Sequence, residues 1–205
     1  MSWHLITRLG DSALLLPCAL FIYAWLLARR ALPDAQRWLL LFGLAAGATL
    51  ASKLAFMGWG VAIPAWDYTG LSGHSMLAGA VLPVLGSLLA PPGRPRWRIA
   101  AAAGGALLAV LVGVSRLEIR VHSPAEVYAG LGAGMAASAA FLCMGRKRLP
   151  ALSPLLLTVV LLLGSLQALS GVRAPTHQVL ERIATYLADR DAPFKRGYWN
   201  LPPAA

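Results

Sequence analysis

Residues 113–126 read Gly113-Val114-Ser115-Arg116-Leu117-Glu118-Ile119-Arg120-Val121-His122-Ser123-Pro124-Ala125-Glu126, a run of ionisable groups set between two apolar stretches. A second short stretch, Leu71-Ser72-Gly73-His74-Ser75, stands in the same relation to its neighbours and holds one of only four histidines. The apolar surroundings decide the fold. Over 205 residues the chain is 58% hydrophobic and 13% charged, with a mean hydropathy of +0.65, whereas soluble domains average about 25% charged residues. The composition predicts an all-α, polytopic membrane helix bundle.

Working outward from the two polar stretches gives six apolar segments, roughly 12–28, 38–60 (interrupted by Lys53), 75–90, 98–114, 124–144 and 151–170. Most approach the 20 or so residues that a helix needs to cross the hydrocarbon core. The third and fourth are short and need their polar flanks to complete a span, which places those flanks in protein or against a water-filled cavity. The first lacks the charged leader and the small-residue cleavage site of a signal peptide and is read as a helix. Residues 1–170 therefore form a transmembrane domain. From Gly171 the composition turns polar, and Val179, Leu180, Ile183, Tyr186 and Leu187 recur at helical spacing after Thr176, a candidate N-cap. The tail, 171–205, is expected to carry an interfacial helix, with His177 a solvated residue at its start.

Arg29, Arg30, Arg37, Arg94, Arg96, Arg98, Arg146, Lys147 and Arg148 all fall in the loops after segments one, three and five, and Asp34 is the only acid among them. By the positive-inside rule those loops are cytoplasmic, and both polar stretches lie on the opposite, periplasmic face. The net charge of +10 is thus explained by orientation in a bilayer, and no nucleic-acid partner is expected. Trp59, Trp66 and Tyr68 on one side, and Trp38 and Trp97 on the other, are read as interfacial aromatic belts. Cys18 and Cys143 stand far apart inside apolar runs and are read as core thiols, with neither disulfide nor metal spacing.

Ser72 and Ser123 are each placed to cap the helix that follows, the second with Pro124 at the first helical position. Two helix N-termini on one face, with their free N–H groups and dipoles, favour an anion. Arg116 and Lys53 bring positive charge to the same side. A salt-bridged loop is the plain alternative for the cluster of Lys53, Arg116, Glu118, Arg120 and Glu126.

Ser115-Arg116, five residues, His122, three residues and an acid, preceded by Ser72-Gly73-His74, resembles the type 2 phosphatidic acid phosphatase superfamily. The likeness runs from about Lys53 to Gly134 and includes Glu126-Val127-Tyr128-Ala129-Gly130 in place of the family's Asp-Val-x-Ala-Gly. The resemblance implies that His122 is the phosphoryl-accepting nucleophile, His74 the acid that protonates the leaving oxygen, and Glu126 the acid that orients His122. It also implies that Arg116, Ser72, Gly73 and Lys53 cradle the phosphate, with no metal and no cofactor. There are three departures from the pattern. Gly60-Val61 replace an Arg-Pro pair, Leu71 replaces a proline, and Glu126 replaces an aspartate. Arg120 is a candidate to supply the lost charge.

The expected function is that of a lipid phosphatase in a bacterial inner membrane, acting at the periplasmic face on a phosphomonoester or diphosphate such as phosphatidic acid, phosphatidylglycerol phosphate, undecaprenyl diphosphate or lipid A. The partners implied are a phosphorylated membrane lipid and the bilayer itself. A lipid phosphotransferase with the same phosphohistidine, or a non-catalytic lipid-phosphate binder or transporter, are the alternatives. The internal repeats and paired broken helices common in transporters are not seen in the sequence. Ser123-Pro124-Ala125-Glu126 also fits a capping box, which needs no catalysis.

In intact cells whose native cysteines have been replaced, a cysteine introduced near Asp67 should react with a membrane-impermeant thiol reagent and one near Pro92 should not. The reverse pattern would invert the topology.

Overall fold

In a computed structural model, residues 3–144, 151–152, 158, 162 and 176–200 are described. The helices are α1 (Trp3–Arg8), α2 (Ser12–Ala28), α3 (Leu32–Trp59), α4 (Gly73–Leu89), α5 (Pro95–Glu118), α6 (Pro124–Met144) and α7 (Thr176–Leu187). Short 3-10 turns lie at Pro64–Trp66 and Tyr198–Asn200. The expected all-α bundle is present. Among the described residues, four helical stretches, Trp3–Ala28, Leu32–Trp59, Pro95–Glu118 and Pro124–Met144, are long and apolar enough to cross a membrane. Leucines such as Leu20, Leu40, Leu44 and Leu107 stand exposed on their outer faces, as helices that meet lipid require. The chain is a membrane protein. The expected sixth segment and the basic loop at 145–149 lie outside the described residues, apart from Ala151, Leu152, Thr158 and Leu162.

The centre of the bundle is α4, the short helix, most of whose side chains are buried. It packs against α2, α5 and α6. Lipid tails are as apolar as leucine, so helices in a bilayer associate through close packing rather than hydrophobic expulsion, and small residues permit it. Glycines do this on two sides of α4. A side chain at Gly134 of α6 would overlap the Met76 carbonyl, and one at Gly130 would come within 2.5 Å of the Ser72 carbonyl oxygen. On the α5 side, Gly105 faces the Leu82 carbonyl and Gly86 faces the Ala101 carbonyl in the same way.

Three readings of the sequence are corrected here. Segment four is longer than expected, because α5 runs on through Ser115, Arg116 and Glu118, so the Arg116 guanidinium projects from the last turn of a helix rather than from a loop. Trp38 is no interfacial anchor: it is 1% exposed, donates from Nε1 to the Ala19 carbonyl at 3.0 Å, and stacks on Phe42 and edge-on to Phe141. Its indole N–H finds a partner inside the bundle, which removes the reason for it to seek the interface. Cys18 is buried as expected, but Cys143 is exposed on the outward side of α6 near its end. Trp59, Trp66 and Trp97 are exposed, as belt residues should be.

The expected tail helix is present as α7 and includes Thr176, the candidate N-cap, while the side chains of Thr176 and His177 lie outside the described residues. It lies against α3, where Gly58 meets Ala184 and Ala188. Leu180 joins that contact, and Val179, Ile183, Leu187 and the 86%-exposed Tyr186 face outward.

Gly134→Ala should destabilise the detergent-solubilised protein by about 1–3 kcal/mol, the usual cost of overpacking. Gly132→Ala, with nothing within 4 Å of the added methyl, should be neutral or stabilising by up to about 1 kcal/mol through helix propensity. Thermal unfolding of the two variants checks the contrast.

Candidate active site

The site forms where the C-terminal end of α3, the loop before α4, the end of α5 and the start of α6 meet. Gly70 in that loop has φ +129 and lies against the backbone of Ser52 and Lys53, a conformation and an approach open only to glycine. This brings Leu71 N–H to Ser52 Oγ at 3.1 Å, and Ser72 N–H to the Glu126 carbonyl at 3.1 Å. The loop thereby ties α3 to α6.

Glu126 is fully buried. Its Oε1 accepts from Thr69 N–H at 2.8 Å and Thr69 Oγ1 at 2.5 Å, and its Oε2 lies 2.6 Å from His122 Nδ1. Both oxygens accept from Arg196 at 2.6 Å. The capping box is also present: Glu126 N–H points to Ser123 Oγ at 3.4 Å, and Ser123 N–H to Oε2 at 3.3 Å. The two readings of Glu126 are therefore not alternatives. One carboxylate closes the helix end and holds the histidine.

A carboxylate accepts and does not donate, so Nδ1 of neutral His122 carries the proton and Nε2 is left with its lone pair. Burial pushes the His122 imidazole below its ordinary pKa, and Lys53 and Arg116 add to this, against the opposing pull of Glu126. His122 lies between two cavities of about 390 and 330 Å³, each also lined by Arg196. Lys53 and Glu126 line the smaller one.

His74, Arg116, Ser72 and Gly73 sit nearby without lining either cavity. His74, on the first turn of α4, lies within electrostatic range of Arg116, His122, Lys53 and Asp11. Arg116 donates to Thr7 Oγ1 at 3.0 Å, while its Nε–H is buried with no acceptor, an uncommon state that a bound anion would relieve. Ser72 stands at the N-cap of α4 but makes no side-chain cap bond; Ser75 Oγ donates to it instead at 3.0 Å. A Cβ at Gly73 would meet nothing closer than Thr49 at 4.0 Å. Arg120 is exposed at the rim of the larger cavity, in a left-handed conformation with φ 54.

Reading the sequence missed the contributions of both chain ends. From the N-terminal side, Thr7 meets Arg116, and the turn at Gly10 lies against His74. From the C-terminal tail, Arg196 reaches Glu126, Asp67 and Thr69. Gly60 marked the place where the tail docks, though not Arg196 itself. That glycine has φ +69, its carbonyl accepts from Tyr198 OH at 2.6 Å, and a Cβ there would press on Phe194 and Tyr198 at 3.2 Å.

The sequence profile of the PAP2 superfamily matches residues 55–150, a span that contains Ser72, Gly73, His74, Arg116, His122 and Glu126 but neither Lys53 nor Arg196. The chain is also 42% identical over 207 residues to an "Uncharacterized 22.5 kDa protein in cps region" of Klebsiella pneumoniae, with 96% of each chain covered. No solved structure matches. The chain belongs to the PAP2 superfamily, and its function is of the phosphatase type.

Glu126→Gln keeps the cap but removes the charge that stabilises an imidazolium and pairs with Arg196. Capping alone would leave stability near wild type; with Arg196 on the carboxylate, a loss of about 1–2 kcal/mol is expected, together with a fall in phosphate release of orders of magnitude. Thermal unfolding and turnover measured on one preparation check both.

Proposed function

We propose that the protein is a lipid phosphatase that hydrolyses a phosphomonoester or diphosphate of a membrane lipid through a phosphohistidine on His122. The observation that carries this reading is the His122–Glu126 contact at 2.6 Å, which leaves Nε2 free beside a cavity rimmed by cations. His122 Nε2 attacks phosphorus, and the bond from phosphorus to the lipid oxygen breaks. His74 gives its proton to that oxygen. Burial first, then Arg116, His122 and Lys53, hold His74 below its ordinary pKa against the pull of Asp11, so it is the negative charge of an arriving phosphate that puts the proton on the acid when it is needed. Water then attacks the phosphohistidine, His74 takes a proton from it, the P–N bond breaks and orthophosphate leaves. Arg116, Lys53 and the Gly73 N–H at the start of α4 balance the charge on the phosphoryl oxygens.

A lipid substrate fits a site at the ends of membrane helices, with the exposed side chains of α7 and Trp66 at the level of the headgroups. The basic clusters support a periplasmic site in a bacterial inner membrane: Arg29, Arg30 and Arg94 lie at the opposite ends of α2, α3 and α4 from His122, and such clusters favour the cytoplasmic side. Transfer to a second lipid would use the same phosphohistidine, with a lipid hydroxyl in place of water.

His122→Ala should fold and release no orthophosphate from a phosphorylated lipid, while the wild type should be inhibited by vanadate and indifferent to chelators. Because the neutral imidazole attacks and its pKa is lowered, the rise of kcat/KM with pH should be centred below about 6.5, the ordinary histidine value. Full activity in His122→Ala, loss on chelation, or an acid limb above that value would each defeat the mechanism.

A further inference from the structure

The arginine on the catalytic pair comes from outside the segment that matches the family. Residues 188–200 form a strap fixed to the end of α3: Phe194 N–H donates to the Met57 carbonyl at 2.8 Å, Tyr198 OH donates to the Gly60 carbonyl, and Phe194, Tyr198 and Trp199 pack with Phe56 and Met57. Two residues along from Phe194, Arg196 turns inward. One of its nitrogens bridges both oxygens of Glu126 and contacts Thr69 Oγ1 at 3.2 Å, while the other holds the Asp67 carbonyl at 2.9 Å and the Asp67 carboxylate.

We propose that Arg196 is a positioning residue, which locks the Glu126 carboxylate onto Nδ1 of His122 and offsets its charge so that the imidazole stays neutral and ready to attack. The proposal rests on the reading of His122 as the nucleophile. Other charged or titratable groups about the pair are Lys53 on α3, His74 on α4, Arg116 on α5, Arg120 in the turn after it, Asp67 and Tyr68 in the loop, and Glu181 and Lys195 on the tail. Among the described residues, Arg196 is the cation whose hydrogen bonds end on Glu126. Without it, a buried carboxylate of full charge would face the histidine alone, and proton affinity would rise across the pair. With both guanidinium ends committed to Glu126 and Asp67, Arg196 acts on the reaction through the pair and not by holding phosphate.

The test is made on the full chain in detergent micelles, as wild type, Arg196→Met and Arg196→Lys, with 15N-labelled histidine and His122→Asn to assign the signal. The His122 titration should move up by about half a pH unit or more in Arg196→Met, with Arg196→Lys between. An unchanged titration and tautomer would overturn the proposal. In parallel, hydrolysis of a phosphorylated lipid by Arg196→Met should show kcat lowered about 10–100-fold, the range found for outer partners of metal-bound histidines, and KM within about threefold. In a Glu126→Gln background the same substitution should add nothing further, since both act through one carboxylate. A dominant rise in KM, or effects that add, would make Arg196 a phosphate ligand and overturn the positioning role. If the wild type turned over no phosphorylated lipid, the phosphatase reading would fail, and the histidine titration would still decide what Arg196 does.

Discussion

A carboxylate out of reach of water must be surrounded by donors, or it will not stay charged. Glu126 meets this demand with backbone and side chain of Thr69, the Ser123 amide, the His122 imidazole and the Arg196 guanidinium. These donors come from three parts of the chain: the loop before α4, the turn between α5 and α6, and the tail. Much of the architecture can be read as the means of bringing them together. The glycines of α6 let it approach α4 until the Ser72 amide bonds the Glu126 carbonyl, and Gly70 lets the loop lie on α3.

The bundle was legible in the sequence because hydropathy and helix length are coupled in a bilayer. The apolar runs from 12–28 to 124–144 correspond to α2 to α6, and the tail periodicity to α7. What failed did so for local reasons. The charges at Arg116 and Glu118 looked like the end of a segment, yet helix α5 carries them, because its last turn opens onto a polar site. Trp38 looked like a belt residue by position and became core when the Ala19 carbonyl offered its N–H a partner. No period or composition predicts a pairing of that kind across 19 residues.

The candidate site divides along the same line. Ser72-Gly73-His74, Arg116, His122 and Glu126 could be found because they occur at fixed local spacings, each on the first or last turn of a helix or in the turn beside it. Arg196 could not, since it lies 70 residues from Glu126 and follows a change in composition that reads as a boundary. Gly60 carried half the information. An absent side chain shows that something is different but does not say what fills the space, and here Phe194 and Tyr198 do.

The strap also sets an order of events. A chain made from its N-terminus inserts α2 to α6, and so holds every residue of the His74, Arg116 and His122 motifs, well before residue 196 emerges. During that interval the helices can be in place while the buried carboxylate still lacks its guanidinium. Completion of the charge balance around His122 is thus deferred until the tail has been made and folds back onto the end of α3.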